Sequence, residues 1–473
     1  MDMRDYVKAC EEIGELHRIK AEVDWNLEIS HIVKENEEKG GPALLFENVK
    51  GHTSPVFAGA FGSSKRVATI LGMPTDLSMC DLAQRWMKTK LDTVIAPEEV
   101  ATGPVMENVD EGDAINLEKF PVLKIYPRDG GRFIGTTVFV VLRDPETGEV
   151  NFGTYRMQMF DGKRCGVNTM PGKKGERILR KYKKLGIKAP AVAVIGCDPL
   201  MMLGGSLMSS KASVMEIVGS LRGEAVKFIK SPVNGLPIPA DAEIVLEGEI
   251  DPDNLLPEGP FGEYTGYYTH ELMEIVKKPC LDVHKVMYRN NPILWASSLG
   301  RPVADVHMLL TFGRMASLWT DLETMKIPGI KSVYIPPESA GRFWAIVSMK
   351  TMYPGHSNQV GTAVISTSTG HYGTKGVIIV DDDIKADDID RVLWALACRY
   401  DPMRGTQLIN RGRSTTADPA LDPNSDRLIT SRIIMDATIP FEWPEDKKPV
   451  EITMDEEVMK KVRERWQEYG FTK

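Results

Sequence analysis

A strand-rich segment occupies the middle of this chain, from about residue 114 to residue 297, and constrains the fold more than any other feature. The clearest pair of runs is GTTVFVVLR at 135–143 and EVNFGTYRMQMF at 149–160, joined by the turn sequence DPETG. Further strands are predicted at 191–196, 243–250, 281–288 and 293–297. Because helices at 175–184 and 212–222 interrupt these antiparallel strands, the pattern predicts an open or split β-barrel.

The flanking segments alternate helical and strand patterns. Before the barrel, residues 3–16 carry apolar side chains at helical spacing, and short strands follow, which indicates an α+β unit. After it, strands and helices alternate from about residue 332, which favours an α/β unit. The later elements are predicted as strands at 332–335, 343–349, 376–380 and 406–409, and helices around 359–366 and 386–400.

The length of the chain requires more than one core. With 473 residues it exceeds the size of a single ordinary domain. We therefore predict an N-terminal α+β domain at 1–110, a central split-barrel domain at 111–325 and a C-terminal α/β domain at 326–450. The charged tail at 451–473 is expected to form a helix that contacts a partner subunit.

Composition excludes several classes of protein. A formal net charge of −8 provides no basic surface for nucleic acid, and the basic tract at 173–184 fits a single helix. The six cysteines lack CxxC spacing, so neither a zinc cage nor a disulfide framework is indicated, which is typical of a reducing compartment. No apolar run approaches the roughly 18 residues of a membrane span. These features predict a cytoplasmic protein with no membrane or nucleic-acid partner.

The sequence LPEGPFGEYTGYY at 256–268 is the strongest candidate for a functional segment. Proline and glycine between Glu258 and Glu263 predict a tight turn that directs both carboxylates to one side. The neighbouring aromatic rings would desolvate these acids and raise their pKa, which suits one of them to proton transfer. An exposed acidic turn with buried aromatics is the alternative, and this segment alone slightly favours it.

Arg156 lies in the second strand of the predicted hairpin. Alternation places Asn151, Gly153 and Tyr155 on one face of this strand and Thr154 and Arg156 on the other. An arginine that faces the inside of a barrel needs a carboxylate partner, because an unpaired buried charge is costly. Glu258 and Glu263 are the obvious partners. An ordinary salt bridge at the barrel rim is the alternative.

The sequence LGGSLMSS at 203–210 precedes the predicted helix at 212–222. Backbone N–H groups and hydroxyls at a helix N-terminus form a generic anion site, although Ser209 or Ser210 could simply cap the helix. The eight histidines show no metal-binding spacing. The run Asp381 to Asp383 fits the polar end of a strand.

Four motifs, found in order over nearly the whole chain, resemble those of the UbiD-like decarboxylases. They are Asn151-Phe-Gly-Thr-Tyr-Arg156, Ser206-Leu-Met208 with Glu216, Glu258-Gly-Pro-Phe-Gly-Glu263, and Val380-Asp-Asp-Asp-Ile384 followed by Val392-Leu-Trp-Ala-Leu-Ala. That family uses prenylated FMN to remove, or reversibly add, a carboxyl group on aromatic or α,β-unsaturated acids. The resemblance implies that the central barrel binds flavin and that the protein is a carboxy-lyase.

The resemblance also implies roles for individual residues. Glu263 would protonate the carbon that loses CO₂, Arg156 would hold the substrate carboxylate, and Glu258 would complete the relay. The implied cofactor contacts are Asn151, Gly153, Thr154, Arg156, Lys173, Lys174, Ser206, Leu207, Met208, Glu216 and Lys350. The implied metal ligands are Asn151 and Glu216 for manganese and Gly205, Ser206, Met208 and Glu216 for potassium or sodium. The implied substrate pocket contains Tyr264, Arg301, His307 and His356.

Lys174 departs from the family pattern, because many members have a histidine there. An ammonium group cannot coordinate a metal but can neutralise phosphate. The resemblance therefore implies a potassium or sodium ion and leaves manganese open. It also implies a separate prenyl-flavin synthase and a homodimer or larger homo-oligomer. Two other functions stay open, a non-catalytic flavin-binding assembly subunit and a flavin oxidoreductase, and the absence of a GxGxxG motif weakens the second.

Overall fold

The computed structural model describes residues 1–88, 94–170, 172–206, 212–268, 276–424 and 428–472. Its helices are α1 (Met3–Glu12), α2 (Glu28–Glu38), α3 (Ser64–Leu71), α4 (Met79–Lys88), α5 (Lys174–Leu185), α6 (Pro199–Ser206), α7 (Val214–Arg222), α8 (Asp305–Thr324), α9 (His356–Ser366), α10 (Ile389–Cys398), α11 (Pro402–Gly405) and α12 (Glu456–Glu464). Its strands are β1 (Leu16–Ile19), β2 (Ala43–Phe46), β3 (Val56–Ala58), β4 (Glu98–Glu99), β5 (Asn108–Glu111), β6 (Arg132–Gly135), β7 (Val138–Arg143), β8 (Val150–Thr154), β9 (Met157–Asp161), β10 (Arg164–Gly166), β11 (Ala189–Ile195), β12 (Lys227–Lys230), β13 (Pro237–Pro239), β14 (Ile244–Glu258), β15 (Val276–Tyr288), β16 (Leu294–Trp295), β17 (Ile330–Tyr334), β18 (Trp344–Met349), β19 (Gly376–Asp381), β20 (Thr406–Arg413) and β21 (Ile429–Asp436).

A curled antiparallel sheet forms the centre of the molecule. Its strands follow the order β6-β9-β10-β15-β14-β11-β7-β8, and β5 pairs with β15. The two longest strands, β14 and β15, pair from Ile244 opposite Tyr288 to Glu258 opposite Val276. A mixed α/β fold with a central antiparallel half-barrel is therefore confirmed. The finer division into a split barrel and the limits of its flanking domains stay predictions.

The single strand predicted at 149–160 is wrong, because the structure divides it. β8 pairs with β7, whereas β9 pairs with β6 and β10. Tyr155 and Arg156 lie between the two strands, where the chain crosses from one part of the curled sheet to another. The alternation of side chains continues through this crossing, so the sequence pattern does not mark it.

Two smaller sheets lie beside the central one. β1, β2, β3 and β16 form a four-stranded sheet, and β13, β12 and β4 form a three-stranded one. The strand predicted at 293–297 was assigned to the barrel, but β16 pairs in parallel with β3 instead. The two residues of β16 are fully apolar and buried, so their composition does not specify which sheet they join.

The C-terminal part contains a five-stranded sheet of order β17-β18-β19-β21-β20, in which β18, β19 and β21 run parallel. Helix α8 was not predicted from the sequence. Fourteen of its residues are buried, since it packs against α4, α6 and β17, and it therefore lacks a single apolar stripe. Strand β21, which pairs with β19 and β20, was also missed, and β20 extends to Arg413, beyond the strand predicted at 406–409.

The chain ends in the short exposed helix α12. Apolar side chains in and before this helix, among them Val450, Ile452 and Met454, are exposed in the single chain. Contact with a partner subunit stays a prediction for this tail. None of the helices in the described residues is long and apolar enough to cross a membrane.

Candidate active site

One guanidinium holds two carboxylates at the inner surface of the central sheet. Arg156 donates from Nε and Nη2 to the two oxygens of Glu258 at 2.9 and 3.1 Å, and from Nη1 to Glu263 at 2.8 Å. The side chains of Arg156, Glu258 and Glu263 are 9, 0 and 15% exposed, so this triad is shielded from water. The structure thus brings together the three residues that the sequence singled out.

The two acids come from different local structures. A tight turn was predicted between Glu258 and Glu263; Glu258 is the last residue of β14, and the residues after it form the loop that carries Glu263. Phe261 lies between the acids in sequence, and its ring faces the Arg156 guanidinium at 4.4 Å. Phe261 also packs on Phe133 with ring centroids 4.5 Å apart, which anchors the loop in the core.

The triad contains one positive charge and two carboxyl groups. Burial raises the pKa of Glu263 above its ordinary value, although Arg156 pulls that pKa in the opposite direction. Burial also opposes the charge of Arg156, but its carboxylate partners outweigh this effect and raise the guanidinium pKa. One cation faces two buried carboxyl groups, and the raised pKa of Glu263 favours its protonated form.

Asp129 and Gln158 hold the loop from outside the triad. Asp129 accepts from the Gly262 N–H at 2.9 Å and from the Tyr268 hydroxyl at 2.7 Å. Gln158 accepts from the Gly259 N–H at 2.7 Å. These bonds fix both ends of the loop, so the position of Glu263 relative to Arg156 depends on them. Neither residue was predicted from the sequence, although Gln158 lies only two positions after Arg156, in β9.

Gly259 and Gly130 allow the loop to approach the sheet closely. Gly259 has a φ of +94°, which favours glycine. A Cβ on Gly130 would lie 1.8 Å from the Gly259 carbonyl oxygen, and the Gly130 N–H donates to the Pro260 carbonyl at 2.8 Å. Side chains at these positions would push the loop, and with it Glu263, away from Arg156.

His307 holds the backbone after Glu263. Its Nδ1 accepts from the Ala304 N–H at 2.8 Å, so the neutral ring carries its proton on Nε2 and donates to the Tyr264 carbonyl at 2.5 Å. Burial lowers the pKa of this fully buried imidazole to about 4. His307 therefore positions Tyr264 as a neutral group.

A pH prediction follows for His307. The folded state binds the imidazole proton less tightly than the unfolded chain, whose pKa is about 6.5. The resulting stabilisation, about 3 kcal/mol, is fully present above pH 6.5 and is lost as the pH falls to about 4. We expect the difference in unfolding free energy between the wild type and His307→Gln to shrink over this range. Denaturant unfolding at several pH values measures it.

The comparison with His307→Gln separates the loss of stability caused by His307 at low pH from the opposite pH dependence of two buried acids. Burial raises the pKa of Glu37 to about 8 and that of Asp305 to about 6, and both groups are present in either protein. A difference that does not change between pH 7 and pH 4 would contradict a neutral, buried His307.

Two buried polar atoms beside the triad have no hydrogen-bond partner among the described residues. They are Asn168 Oδ1 and the Tyr264 hydroxyl. The Asn168 N–H donates to the Arg156 carbonyl at 3.1 Å, and Tyr264 directly follows Glu263. Because buried polar groups are normally satisfied, these two atoms fit a site that a polar, partly apolar molecule completes.

The residues implied for cofactor phosphate and metal are mostly engaged elsewhere. Asn151 Nδ2 donates to the Tyr155 hydroxyl at 3.4 Å, and Glu216 forms a capping box with Ser213 at the start of α7. Ser213 therefore caps this helix, and Ser209 and Ser210, the caps considered from the sequence, lie outside the described residues. Gly153 lies in β8 beside the Tyr155 ring, and Thr154 is exposed at the end of that strand.

The segment at 203–210 was predicted to lie before a helix, but its described part ends helix α6. Gly205 lies against the Phe139 ring, and the Ser206 hydroxyl donates to the Leu203 carbonyl at 2.7 Å. Leu207 and Met208 lie outside the described residues. Within the described part of the chain, no group of three or more His, Cys, Asp and Glu side chains could hold a metal ion.

The two lysines at the start of α5 point to different surroundings. Lys174 forms an exposed ion pair with Glu149. Lys173 extends over the Tyr372 ring, with its ammonium 4.8 Å from the ring centroid. Tyr372 also contacts Arg342, which in turn contacts Tyr264. Lys173, rather than Lys174, is therefore the lysine that lies near Tyr264.

The side chains of three other residues predicted for the substrate pocket or the cofactor contact groups outside the triad or lie in solvent. Arg301 is exposed and pairs with Glu38 at 2.7 Å. His356 is buried against Tyr353, with ring centroids 4.2 Å apart, at the start of α9. Lys350 is exposed and directly follows the last residue of β18. Arg342, which contacts Tyr264, precedes the first residue of the same strand, so Lys350 lies roughly 20 Å from Arg342. Among the described residues, none of these three side chains forms a hydrogen bond or ion pair with the triad, although the Arg301 backbone lies against Gly266, which follows Glu263.

Family comparisons cover most of the chain. The model described as the 3-octaprenyl-4-hydroxybenzoate carboxy-lyase N-terminal domain matches residues 7–86. The models described as the Rift-related domain and the C-terminal domain of the same carboxy-lyase match residues 98–302 and 307–437. An uncharacterized protein of Archaeoglobus fulgidus is 34% identical over 488 residues, which cover 99% of this chain and 98% of that protein.

Solved structures share the whole fold. The open form of vanillic acid decarboxylase from Sedimentibacter hydroxybenzoicus is 28% identical, with 98% of each chain covered and a TM-score of 0.86. The UbiD-class enzyme HmfF from Pelotomaculum thermopropionicum, in complex with FMN, is 25% identical, with 96% of this chain and 97% of that chain covered and a TM-score of 0.85. An evolved dimeric form of HmfF from the same organism, in complex with prFMN, is also 25% identical. The match covers 95% of this chain and 97% of that chain, with a TM-score of 0.81.

Proposed function

This chain belongs to the UbiD family of carboxy-lyases, and from this premise we propose that it is a reversible, non-oxidative decarboxylase of an aromatic, heteroaromatic or α,β-unsaturated carboxylic acid. The observation that carries the proposal is the Arg156 guanidinium, which holds Glu258 and Glu263 in one buried site. A proton donor beside a fixed cation is what the replacement of a carboxylate by hydrogen requires.

Each member of the triad has a proposed role. The N–H groups of Arg156 that face neither glutamate would hold the substrate carboxylate. Glu263, whose pKa burial raises, would deliver a proton to the carbon that has lost CO₂. Glu258 binds Arg156 through both oxygens and would keep the guanidinium charged and oriented. In the reverse direction, Glu263 would remove the same proton.

Loss of CO₂ leaves electron density on the substrate carbon, and no side chain can accept it. Prenylated FMN would supply this electron sink. The FMN and prFMN complexes of HmfF support its use here, and the unsatisfied Asn168 and Tyr264 atoms fit a bound polar molecule. A separate prenyl-flavin synthase would provide it, and the homo-oligomer expected from the sequence stays a prediction.

The cofactor would be held on the side of β8. Asn151, Gly153 and Thr154 belong to this strand, Ser206 ends α6, and Glu216 lies in the first turn of α7. A potassium or sodium ion near Ser206, and manganese between Asn151 and Glu216, stay proposals. Lys174 would contribute positive charge at the start of α5.

A deuterium experiment tests the proposal. The chain would be produced anaerobically with a prenyl-flavin synthase and supplied with aromatic and unsaturated acids in D₂O. We expect CO₂ release and one deuterium at the carbon that carried the carboxylate, measured by mass spectrometry. Reduction of an acid or flavin by NAD(P)H without CO₂ release would indicate a flavin oxidoreductase, and flavin retention without any turnover would indicate an assembly subunit.

A further inference from the structure

Four cationic side chains surround Tyr372 near the triad, and we call Lys173, Arg314, Arg342 and Arg413 the cationic cluster. The Lys173 ammonium and the Arg342 and Arg413 guanidinium carbons lie 4.8, 5.1 and 5.0 Å from the Tyr372 ring centroid. Arg314 donates from Nη2 to the Tyr372 carbonyl at 3.1 Å. These residues come from four separate segments, so only the tertiary fold places them together.

No Asp or Glu of the described residues forms an ion pair with any member of the cationic cluster, whereas adjacent lysines are paired. Lys174 pairs with Glu149, and Lys375 pairs with Asp418. Arg314 is only 3% exposed, and the buried Nε atoms of Arg314 and Arg342 have no hydrogen-bond partner among the described residues. A buried charge without a counter-charge is costly, so this arrangement indicates a site that an anion completes.

Burial first, and neighbouring positive charges second, lower the pKa of two members of the cationic cluster. Burial, followed by the charge of Arg342, lowers the pKa of Arg314 to about 9. Part of the Lys173 side chain reaches solvent, yet partial desolvation and the charges of the three arginines lower its pKa as well. A bound anion would offset the repulsion between these cations, because it would supply the missing opposite charge.

The cationic cluster adjoins the triad through Tyr264. The Arg342 guanidinium carbon lies 5.6 Å from the Tyr264 ring centroid, and Tyr264 directly follows Glu263. The Tyr264 hydroxyl is buried and has no hydrogen-bond partner in the described part of the chain. Tyr264 therefore adjoins the proton donor through the chain, at Glu263, and the cationic cluster through Arg342.

Resting on the proposed function, we propose that the cationic cluster binds a second anionic group of the substrate, a carboxylate or a phosphate. Arginine guanidiniums match both groups through paired N–H donors. The substrate would then be a dianionic acid that loses the carboxylate held at Arg156 and keeps the one held at the cationic cluster. The cofactor phosphate is the other source of the same chemistry, and the experiment must separate the two.

Ligand binding to the holoenzyme tests the proposal directly. Three matched pairs serve as probes in titration calorimetry: benzoate with benzene-1,4-dicarboxylate, benzoate with 4-phosphonobenzoate, and but-2-enoate with fumarate. We expect at least one dianion to bind more tightly than its monoanion. Arg342→Gln should weaken that dianion on the order of 10²-fold and change the monoanion by only a few-fold. No preference for a dianion in any pair would overturn the proposal.

Further variants guard against misfolding. Lys173→Gln should reduce the same preference, and Arg342→Lys, which keeps the charge but loses the paired donors, should retain part of it. The exposed Arg465 pairs with Glu468 in the C-terminal tail, so Arg465→Gln is the matched control and should change nothing. Unchanged dianion binding in both Arg342→Gln and Lys173→Gln, with wild-type unfolding curves, would contradict the role of the cationic cluster.

A flavin titration separates substrate from cofactor. FMN carries a phosphate that riboflavin lacks, so the ratio of their affinities for the cofactor-free chain reports the phosphate contacts. We expect Arg342→Gln to leave this ratio unchanged. A fall of the ratio similar to the loss in dianion binding would assign the cationic cluster to the cofactor phosphate and overturn the proposal.

The proposal and the function on which it rests fail in different ways. CO₂ release from monoanionic acids, without preference for any dianion, would support the decarboxylase and overturn the second anion site. A dianion preference that depends on Arg342, in a holoenzyme that releases no CO₂ from any acid, would support the site and overturn the decarboxylase.

Discussion

Glu263→Gln is expected to abolish net decarboxylation and leave the fold and flavin binding near wild type. The amide has the same shape and can still accept from Arg156 Nη1, which donates to Glu263 at 2.8 Å. It cannot release a proton to the substrate carbon. Removal of a positioned acid typically lowers the rate by ~10²- to 10⁴-fold. Initial rates of CO₂ release, with flavin content measured by absorbance, give the result.

Glu249→Gln is the matched control for Glu263→Gln. Glu249 lies on β14, the strand that ends at Glu258, but it is partly exposed and pairs with Lys188 at the surface. This variant should keep wild-type turnover. Glu263→Asp, which keeps the acid on a shorter side chain, should retain part of the activity. Turnover of Glu263→Gln within a few-fold of wild type would show that another group protonates the product.

The pH dependence of turnover should also show that Glu263 is the proton donor. Burial raises the pKa of Glu263, so the proton needed for the reaction is held to higher pH than in an ordinary carboxyl group. In the decarboxylation direction, kcat should fall as the pH rises through this pKa. That decline should be absent from the residual activity of Glu263→Gln.

The chain produced without a prenyl-flavin supply is expected to be folded but inactive. Arg156, Glu258 and Glu263 can hold a carboxylate and move a proton, but none can accept the electron pair that CO₂ leaves behind. Reconstitution with prenylated FMN should restore activity, produce a flavin absorbance band and raise the unfolding temperature, because a ligand that binds only the folded state stabilises it. Circular dichroism before reconstitution checks the fold.

Reconstitution with riboflavin 5′-phosphate alone is the control for the cofactor prediction. Ordinary FMN should occupy the same site and stabilise the chain without supporting decarboxylation at the restored rate. Full turnover by protein that mass spectrometry shows to contain no flavin would contradict the need for an electron sink. It would also remove the main support for a flavin-dependent mechanism.

Much of the site could be predicted from the sequence, because its elements have local signatures. Proline and glycine between Glu258 and Glu263 indicate a loop, and strand alternation separates Arg156 from Tyr155. The structure brings Arg156 into contact with both acids, as this pattern suggested. Motif order identified the family, which the family comparisons confirm.

Other features could not be predicted, because their causes are not local. The crossing at Tyr155 and Arg156 depends on which strands β8 and β9 pair with, and side-chain alternation continues through it. Helix α8 is buried on most of its surface and has no apolar stripe to reveal it. Lys350 was expected to contact the cofactor and His356 the substrate, but both residues follow β18 in the chain and neither contacts the triad among the described residues.

The sequence by itself determined the family and the mixed α/β class, and it singled out the two short motifs that carry Arg156 and the Glu258–Glu263 pair, since each motif depends on residue types at short, fixed spacing. The tertiary structure alone decided how Asp129 and Gln158 fix the loop, and how the cationic cluster assembles around Tyr372. The physical reason is that hydrogen bonds, desolvation and charge repulsion act through space over a few ångströms. Residues more than one hundred positions apart therefore share one site, and no pattern along the chain records their proximity.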